Sequence, residues 1–151
     1  MRAYRFIFIC LLIIAAIASY NIYKIKEDNK IYLNLKQAAQ QNETVDFSQV
    51  VSGDWDNIII VNPYADKMEI KNKYGISVNR ISDFSVAHRD DRLLIIFCKG
   101  KSIQDYIYWF GSVLLGENEK AYDSLQIKRE DAKFKTEKNS GSDVFINLII
   151  E

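Results

Sequence analysis

Residues 93–110, LLIIFCKGKSIQDYIYWF, decide the fold. Leu93–Cys98 is an unbroken apolar run of strand length, and Ile103–Phe110 is alternating and rich in aromatic residues. Between them Lys99-Gly100-Lys101 places a glycine where a hairpin must reverse, so the stretch reads as two antiparallel strands. Side chains alternate along a strand, which puts Tyr106, Tyr108 and Phe110 on one face and Ile107 and Trp109 on the other. Lys99-Gly100-Lys101-Ser102 ends like a phosphate loop. It lacks the first glycine of that motif and joins strand to strand, so a turn accounts for it better.

Working outward from the hairpin, Phe84, Val86 and His88 alternate and read as a further strand of a meander, with 89–92 turning the chain. Ile58–Val61 is a continuous aliphatic run, fit for a strand buried on both faces. Pro63 ends it, having no N–H to give a ladder. A helix is predicted over Tyr64–Tyr74, with Pro63 near its first turn and Gly75 just past its end. Toward the C-terminus, 132–136 and 144–150 flank Asn139-Ser140-Gly141-Ser142, a second hairpin signal. The sum is an α+β domain over residues 45–151, a small antiparallel sheet with one or two packed helices.

Residues 24–44 read as a helical stalk. Asp28 suits an N-cap, and Ile31, Leu35 and Ala38 recur at helical spacing with Tyr32 and Ala39 beside them. Before the stalk, Arg2 and Arg5 precede Phe6–Tyr23, a run of 18 residues without a charge. A helix of that length spans about 27 Å, close to the hydrocarbon thickness of a bilayer. The run has no polar face as far as Ala18, so its expected solvent is lipid. Residues 1–23 are therefore expected to be a membrane signal anchor or a signal peptide. The leading positive charges keep the N-terminus cytoplasmic and send the remainder outward. An anchor gives a single-pass protein of the inner or cytoplasmic membrane, with Tyr20 and Tyr23 at the interface. Cleavage after Ala18, at Ala16-Ile17-Ala18, gives a periplasmic or secreted one. Cys10, deep in the run, reads as a small apolar residue.

Charge and composition exclude several function classes. The 20 basic residues cancel the 20 acidic ones, which leaves no general electrostatic reason to bind nucleic acid. Two cysteines build neither a disulfide scaffold nor a cysteine-rich zinc site, and one histidine, His88, excludes sites needing several imidazoles. No cofactor or metal is expected. Cys98, in its apolar run, reads as a buried and inert thiol. His88-Arg89-Asp90 copies a kinase catalytic-loop triplet, but the asparagine that pattern requires is Ile95 here. His88 with Asp83, Asp90 and Asp91 remains the only acid–base candidate, and a solvated strand end is the simpler account. The expectation is a protein that is not an enzyme. Core packing on both faces of the strand is the simpler account of its aromatic residues; if one face stays open instead, the candidates for contact with a protein partner are Tyr106, Tyr108 and Trp109, whose large side chains carry a polar handle.

A second set of residues carries a resemblance. Trp55-Asp56 precedes the aliphatic strand, which ends in Pro63-Tyr64. Gly75, the hairpin Leu93–Ile107 and the stretch Arg129-Glu130-Asp131-Ala132-Lys133-Phe134 follow. In this the chain resembles a group of small uncharacterised bacterial exported or membrane-anchored proteins with no known activity. The similarity spans about residues 45–136, with Cys98 and Gly111–Ser124 departing from it. It implies export and an α+β fold, and brings no catalytic residue or cofactor. The matched residues themselves read as architectural: Trp55 covering one end of the core, Asp56 beside it, Pro63 stopping the strand, Tyr64 starting the helix and Gly75 supplying a positive φ. The expected function is a membrane-anchored, extracytoplasmic interaction or accessory module of the bacterial envelope. An immunity protein neutralising a toxin in the same compartment is the alternative, and a small hydrolase comes behind both.

Overall fold

The computed structural model describes residues 2–81, 84–88, 90, 92–110, 113–115, 119–120, 124–138 and 146–150. It is an α+β protein with two sheets rather than the one expected. A four-stranded sheet runs in the order β4-β3-β2-β7, and a five-stranded sheet in the order β1-β8-β9-β5-β6. The first is built from β2 (Asn57–Val61), β3 (Leu93–Lys99), β4 (Ser102–Trp109) and β7 (Leu125–Lys128), all antiparallel. The second comprises β1 (Thr44–Asp46), β5 (Val113–Leu115), β6 (Glu119–Lys120), β8 (Lys133–Lys138) and β9 (Ile146–Ile150). Its pairs are antiparallel except β5–β9, which is parallel.

Helix α1 runs unbroken from Arg2 to Gln41. Asp28 therefore lies inside a helix and is not its N-cap; no glycine or proline interrupts the sequence over this span, so nothing stops helix propagation. Its C-terminal part is a core element, because Leu35 and Ala39 are fully buried and Ile31, Tyr32 and Ala38 pack against the same cluster. The helix ends where Asn42 turns back on Ala38, its N–H donating to that carbonyl at 3.0 Å and its Nδ2 at 2.8 Å. Among the described residues no helix is long and apolar enough to cross a membrane. Within Phe6–Tyr23 the described side chains are those of 10–17 and 19, and Leu11, Leu12, Ile13, Ile14 and Ile17 are exposed.

The run read as a doubly buried strand is β2, and every one of its residues is buried. Ile58 and Ile60 point into one core with Leu35, Phe47, Trp55, Phe97, Trp109 and Phe134. Ile59 and Val61 point into a second with Ile70, Ile76, Leu94 and Ile96. The sheet is thus a middle layer. One face is covered by α1, by α2 (Phe47–Val50) and by side chains of β8 and β9; the other by α3 (Lys67–Tyr74) and two 3₁₀ turns, Val78–Arg80 and Ser85–His88. Each isoleucine so buried contributes about 1.5–3 kcal/mol.

Two local expectations need correction. Helix α3 starts at Lys67, three residues after Tyr64, because the Asp66 carboxylate caps it by accepting the N–H groups of Met68 and Glu69. Tyr64 stays outside, 67% exposed, with φ +65. Phe84, Val86 and His88 do not form a strand: residues 85–88 close a 3₁₀ turn that buries Val86 and leaves His88 exposed. Alternation over three positions is too short to separate the two conformations. The hairpin β3–β4 forms as expected, with Gly100 at φ +56. It carries a bulge, since Phe97 faces Asp105 while Cys98 faces Ile103, leaving Gln104 as the extra residue. Strands β8 and β9 also pair, and the connecting residues 139–142 lie outside the described residues.

Candidate functional site

Three segments meet at the hairpin end of the middle sheet: the loop 51–56 before β2, the β3–β4 turn, and the 3₁₀ turn Arg129–Asp131 after β7. Trp55, 3% exposed, closes the core there, its ring edge-on to Phe97 at 5.3 Å and its Nε1–H donating to the Val51 carbonyl at 3.1 Å. Arg129 covers the same indole, its guanidinium carbon 4.4 Å from the ring centroid. Nη1 donates to the carbonyls of Gly53 at 2.9 Å and Trp55 at 3.0 Å, and Nη2 reaches Ser48 O at 3.4 Å. The Arg129 N–H also donates to Asp56 O at 2.8 Å. One side chain therefore stacks on the tryptophan and ties down the backbone that presents it.

Asp56 fastens the other side. Its N–H donates to Cys98 O at 2.8 Å, and its two carboxylate oxygens each lie 3.0 Å from the Gly100 N–H. Asn57 Nδ2 donates to the same carboxylate. The Gly100 amide, then Asn57, hold the Asp56 carboxyl below its ordinary pKa. Next to it Lys99 pairs with Asp54 at 2.8 Å, which raises the lysine's pKa. Buried Asn57 is completed by Gln126, whose Nε2 donates to Asn57 Oδ1 at 2.9 Å.

Two hollows flank this corner. A cleft of about 290 Å³ separates α1 from the loop and the hairpin, lined among others by Lys30, Asn34, Asp54, Gln104 and Asp105. A shallower one of about 470 Å³ lies between Ser48, Trp55, Asp56 and 128–130. Among the described residues no three His, Cys, Asp or Glu side chains gather as metal ligands. His88 sits exposed at the end of its turn, while Asp83 and Asp91 lie outside the described residues. Cys98 is fully buried, and burial first, then the charge of Asp56, pushes its thiol up to about 11.

The partner-contact candidates divide. Trp109 is 1% exposed and packs edge-on against Tyr32 at 5.8 Å, so it is a core residue and offers no surface to a partner. Tyr106 and Tyr108 are half-buried, T-shaped to one another at 6.2 Å, and lie against the second core. Arg92 stacks at the end of that strand, 5.8 Å from the Tyr108 ring and 4.9 Å from that of Phe110. The architectural residues Trp55 and Asp56 are at the corner, Gly75 ends α3 with φ +69, and Pro63 and Tyr64 form the turn after β2. Sequence reasoning gave no role to Arg129, Asn57 or Gln126. Nothing local marks the roles of Arg129 and Gln126, which act across at least 69 positions, and the part Asn57 plays shows only once Gln126 is brought to it. No protein-family model, curated protein or solved structure matches the chain.

Proposed function

We propose that this chain is a non-enzymatic interaction or accessory module of the bacterial envelope, held in the inner or cytoplasmic membrane through residues 6–23. In this reading the α+β body stands outside the cytoplasm, and the chain groups with the small exported proteins that share its Trp-Asp and Pro-Tyr pattern. The observation that carries the reading is the continuity of α1. The helix that bears the uncharged run also places Leu35 and Ala39 in the core, so an anchor and a body would be one rigid piece. Leu11, Leu12, Ile13, Ile14 and Ile17 are each at least 54% exposed, a surface suited to lipid tails. Support for a non-enzymatic role comes from the corner itself, where Arg129 and Asp56 are engaged in holding backbone groups.

Fractionation of cells expressing the full chain with a C-terminal tag tests this. The expected result is a carbonate-resistant membrane protein whose tag is digested by protease added outside the cytoplasmic membrane. Recovery of intact chain in a high-speed cytosolic supernatant would refute the membrane and export reading.

A further inference from the structure

We infer that the cleft between α1, the loop before β2 and the β3–β4 hairpin binds a small zwitterion of dipeptide size, with Asp105 taking its ammonium and Lys30 its carboxylate. Such a site adds a ligand to the module proposed above and holds whether or not residues 6–23 lie in a membrane. Three elements build it. Lys30 and Asn34, four residues apart, share one face of α1 and both line the cleft. Every residue from Val50 to Trp55 lines it as well. That second wall is fixed in advance: Trp55 Nε1–H donates to Val51 O at 3.1 Å, Arg129 Nη1 to Gly53 O at 2.9 Å, and Lys99 Nζ to Asp54 at 2.8 Å. A wall already in place spends little affinity on ordering itself around a ligand. The hairpin supplies the third wall through Phe97, Gln104 and Asp105. Neighbouring residues of a regular strand face opposite sides, yet Gln104 and Asp105 both line this cleft. Gln104 is the extra residue of the bulge, and a bulge re-aims the side chains around it.

The polar groups of this cleft are under-used. Asp54 is neutralised by Lys99. Asp105 accepts a single hydrogen bond, from the N–H of its neighbour Tyr106 to Oδ1 at 2.8 Å, and Gln104 reaches only Ser102 O, at 3.3 Å. Among the described residues the side chains of Lys30 and Asn34 have no hydrogen-bond or ion-pair partner. Lys30 and Asp105 therefore line one cleft with opposite charges and do not pair with each other. Two such charges held apart complement a molecule with an ammonium at one end and a carboxylate at the other, each end gaining a charge-assisted hydrogen bond. A guest with one charge would leave the other charge of the cleft unanswered. Asn34 and Gln104 each carry both a donor and an acceptor, which suits the peptide group between the ends. Half-buried Ile31 and Val50 give small side chains an apolar contact. The volume of about 290 Å³ is that of about ten water molecules, which matches the non-hydrogen atoms of a dipeptide of small residues.

Titration of the nitrogen-15-labelled full chain in detergent micelles with L-alanyl-L-alanine, followed by amide chemical shifts, is the test. The N-acetyl and C-amide forms of the dipeptide, each lacking one charge, are titrated in parallel. So are the variants Lys30→Gln and Asp105→Asn, once circular dichroism shows them folded. Saturable shifts are expected at 50–55, at 104–105 and in the side-chain amides of Asn34 and Gln104, with a dissociation constant of about 1 mM or below. On the unaltered chain either blocking group should weaken binding about tenfold or more. Lys30→Gln should no longer distinguish the C-amide from the free dipeptide, and Asp105→Asn should no longer distinguish the N-acetyl form. No saturable shift up to about 10 mM overturns the inference, as do shifts confined to other parts of the chain. Equal binding of the free and blocked dipeptides by the unaltered chain also overturns it, a comparison that decides even where a variant does not fold.

Discussion

Replacing Arg129 with alanine should loosen the whole hairpin end of the middle sheet. The side chain makes two short hydrogen bonds to carbonyls, at 2.9 and 3.0 Å, and one long one at 3.4 Å. Its guanidinium also stacks on Trp55 at 4.4 Å. The site is partly open to water, so each short bond contributes about 1 kcal/mol net and the stacking about another 1 kcal/mol. The expected loss is about 2–3 kcal/mol. With a urea slope of about 1.5 kcal/mol per molar, the unfolding midpoint of the full chain in detergent micelles should fall by about 1–2 M, followed by circular dichroism. Arg129→Lys keeps the charge but loses the fork that reaches two carbonyls at once, and should recover less than half of the loss. In a cycle with Trp55→Ala the two changes should fall short of additivity by about 1 kcal/mol, the stacking energy itself. A midpoint within about 0.3 M of the unaltered chain would refute the claim that this arginine fastens the corner.

Asp56→Asn should flatten the acid limb of stability. The folded pKa is depressed below 3.8, so the carboxylate's contribution is present above that value and drains away as pH falls through the folded one. Denaturation midpoints recorded from pH 6 down to pH 2 should thus converge for the two proteins at the acid end. Cys98, with its pKa moved from 9.0 to about 11, should react with a maleimide at pH 8 at least about 100-fold slower in the folded chain than in urea, measured in a Cys10→Ser background. Gly75→Ala should cost about 1–2 kcal/mol, because φ is +69 and the new methyl carbon would sit 3.1 Å from the Lys101 side chain. Gly75→Asn should lose less, and equal thermal midpoints for the alanine variant and the unaltered chain would remove the left-handed cap from the account.

The parts of the fold that could be read from the chain are those where a short window carries the whole signal. Ile58–Val61 is aliphatic and Leu93–Cys98 apolar throughout, so both announce buried strands, and Gly100 marks the turn between β3 and β4. Other elements give no such window. β1 has three residues, and β7 buries only Leu125 and Ile127, in part, over four positions. They are strands because β8 and β2 offer them a ladder. Of the second sheet only the β8–β9 hairpin was legible; β1, β5 and β6 are too short to announce themselves. Two aromatic residues show how context decides: Trp109, offered as a possible partner contact, has the core role that alternation also allowed, because α1 covers that face. Tyr64 looked like a helix start until Asp66 took the cap. The corner residues were legible singly, Trp55 and Asp56 among them, but their closure by Arg129 depends on contacts across 73 to 81 positions.

The first core thus joins residues far apart along the chain: Leu35 of α1 and Leu148 of β9 belong to the same cluster. A nascent polypeptide still lacking β9 would leave that cluster open on one side, beside Leu35, Ala39 and Phe134, until residues 146–150 had emerged. The body would then close only once β9 is available rather than growing piece by piece on the ribosome, and a message truncated before codon 146 would yield a polypeptide for quality-control proteases instead of a smaller stable domain.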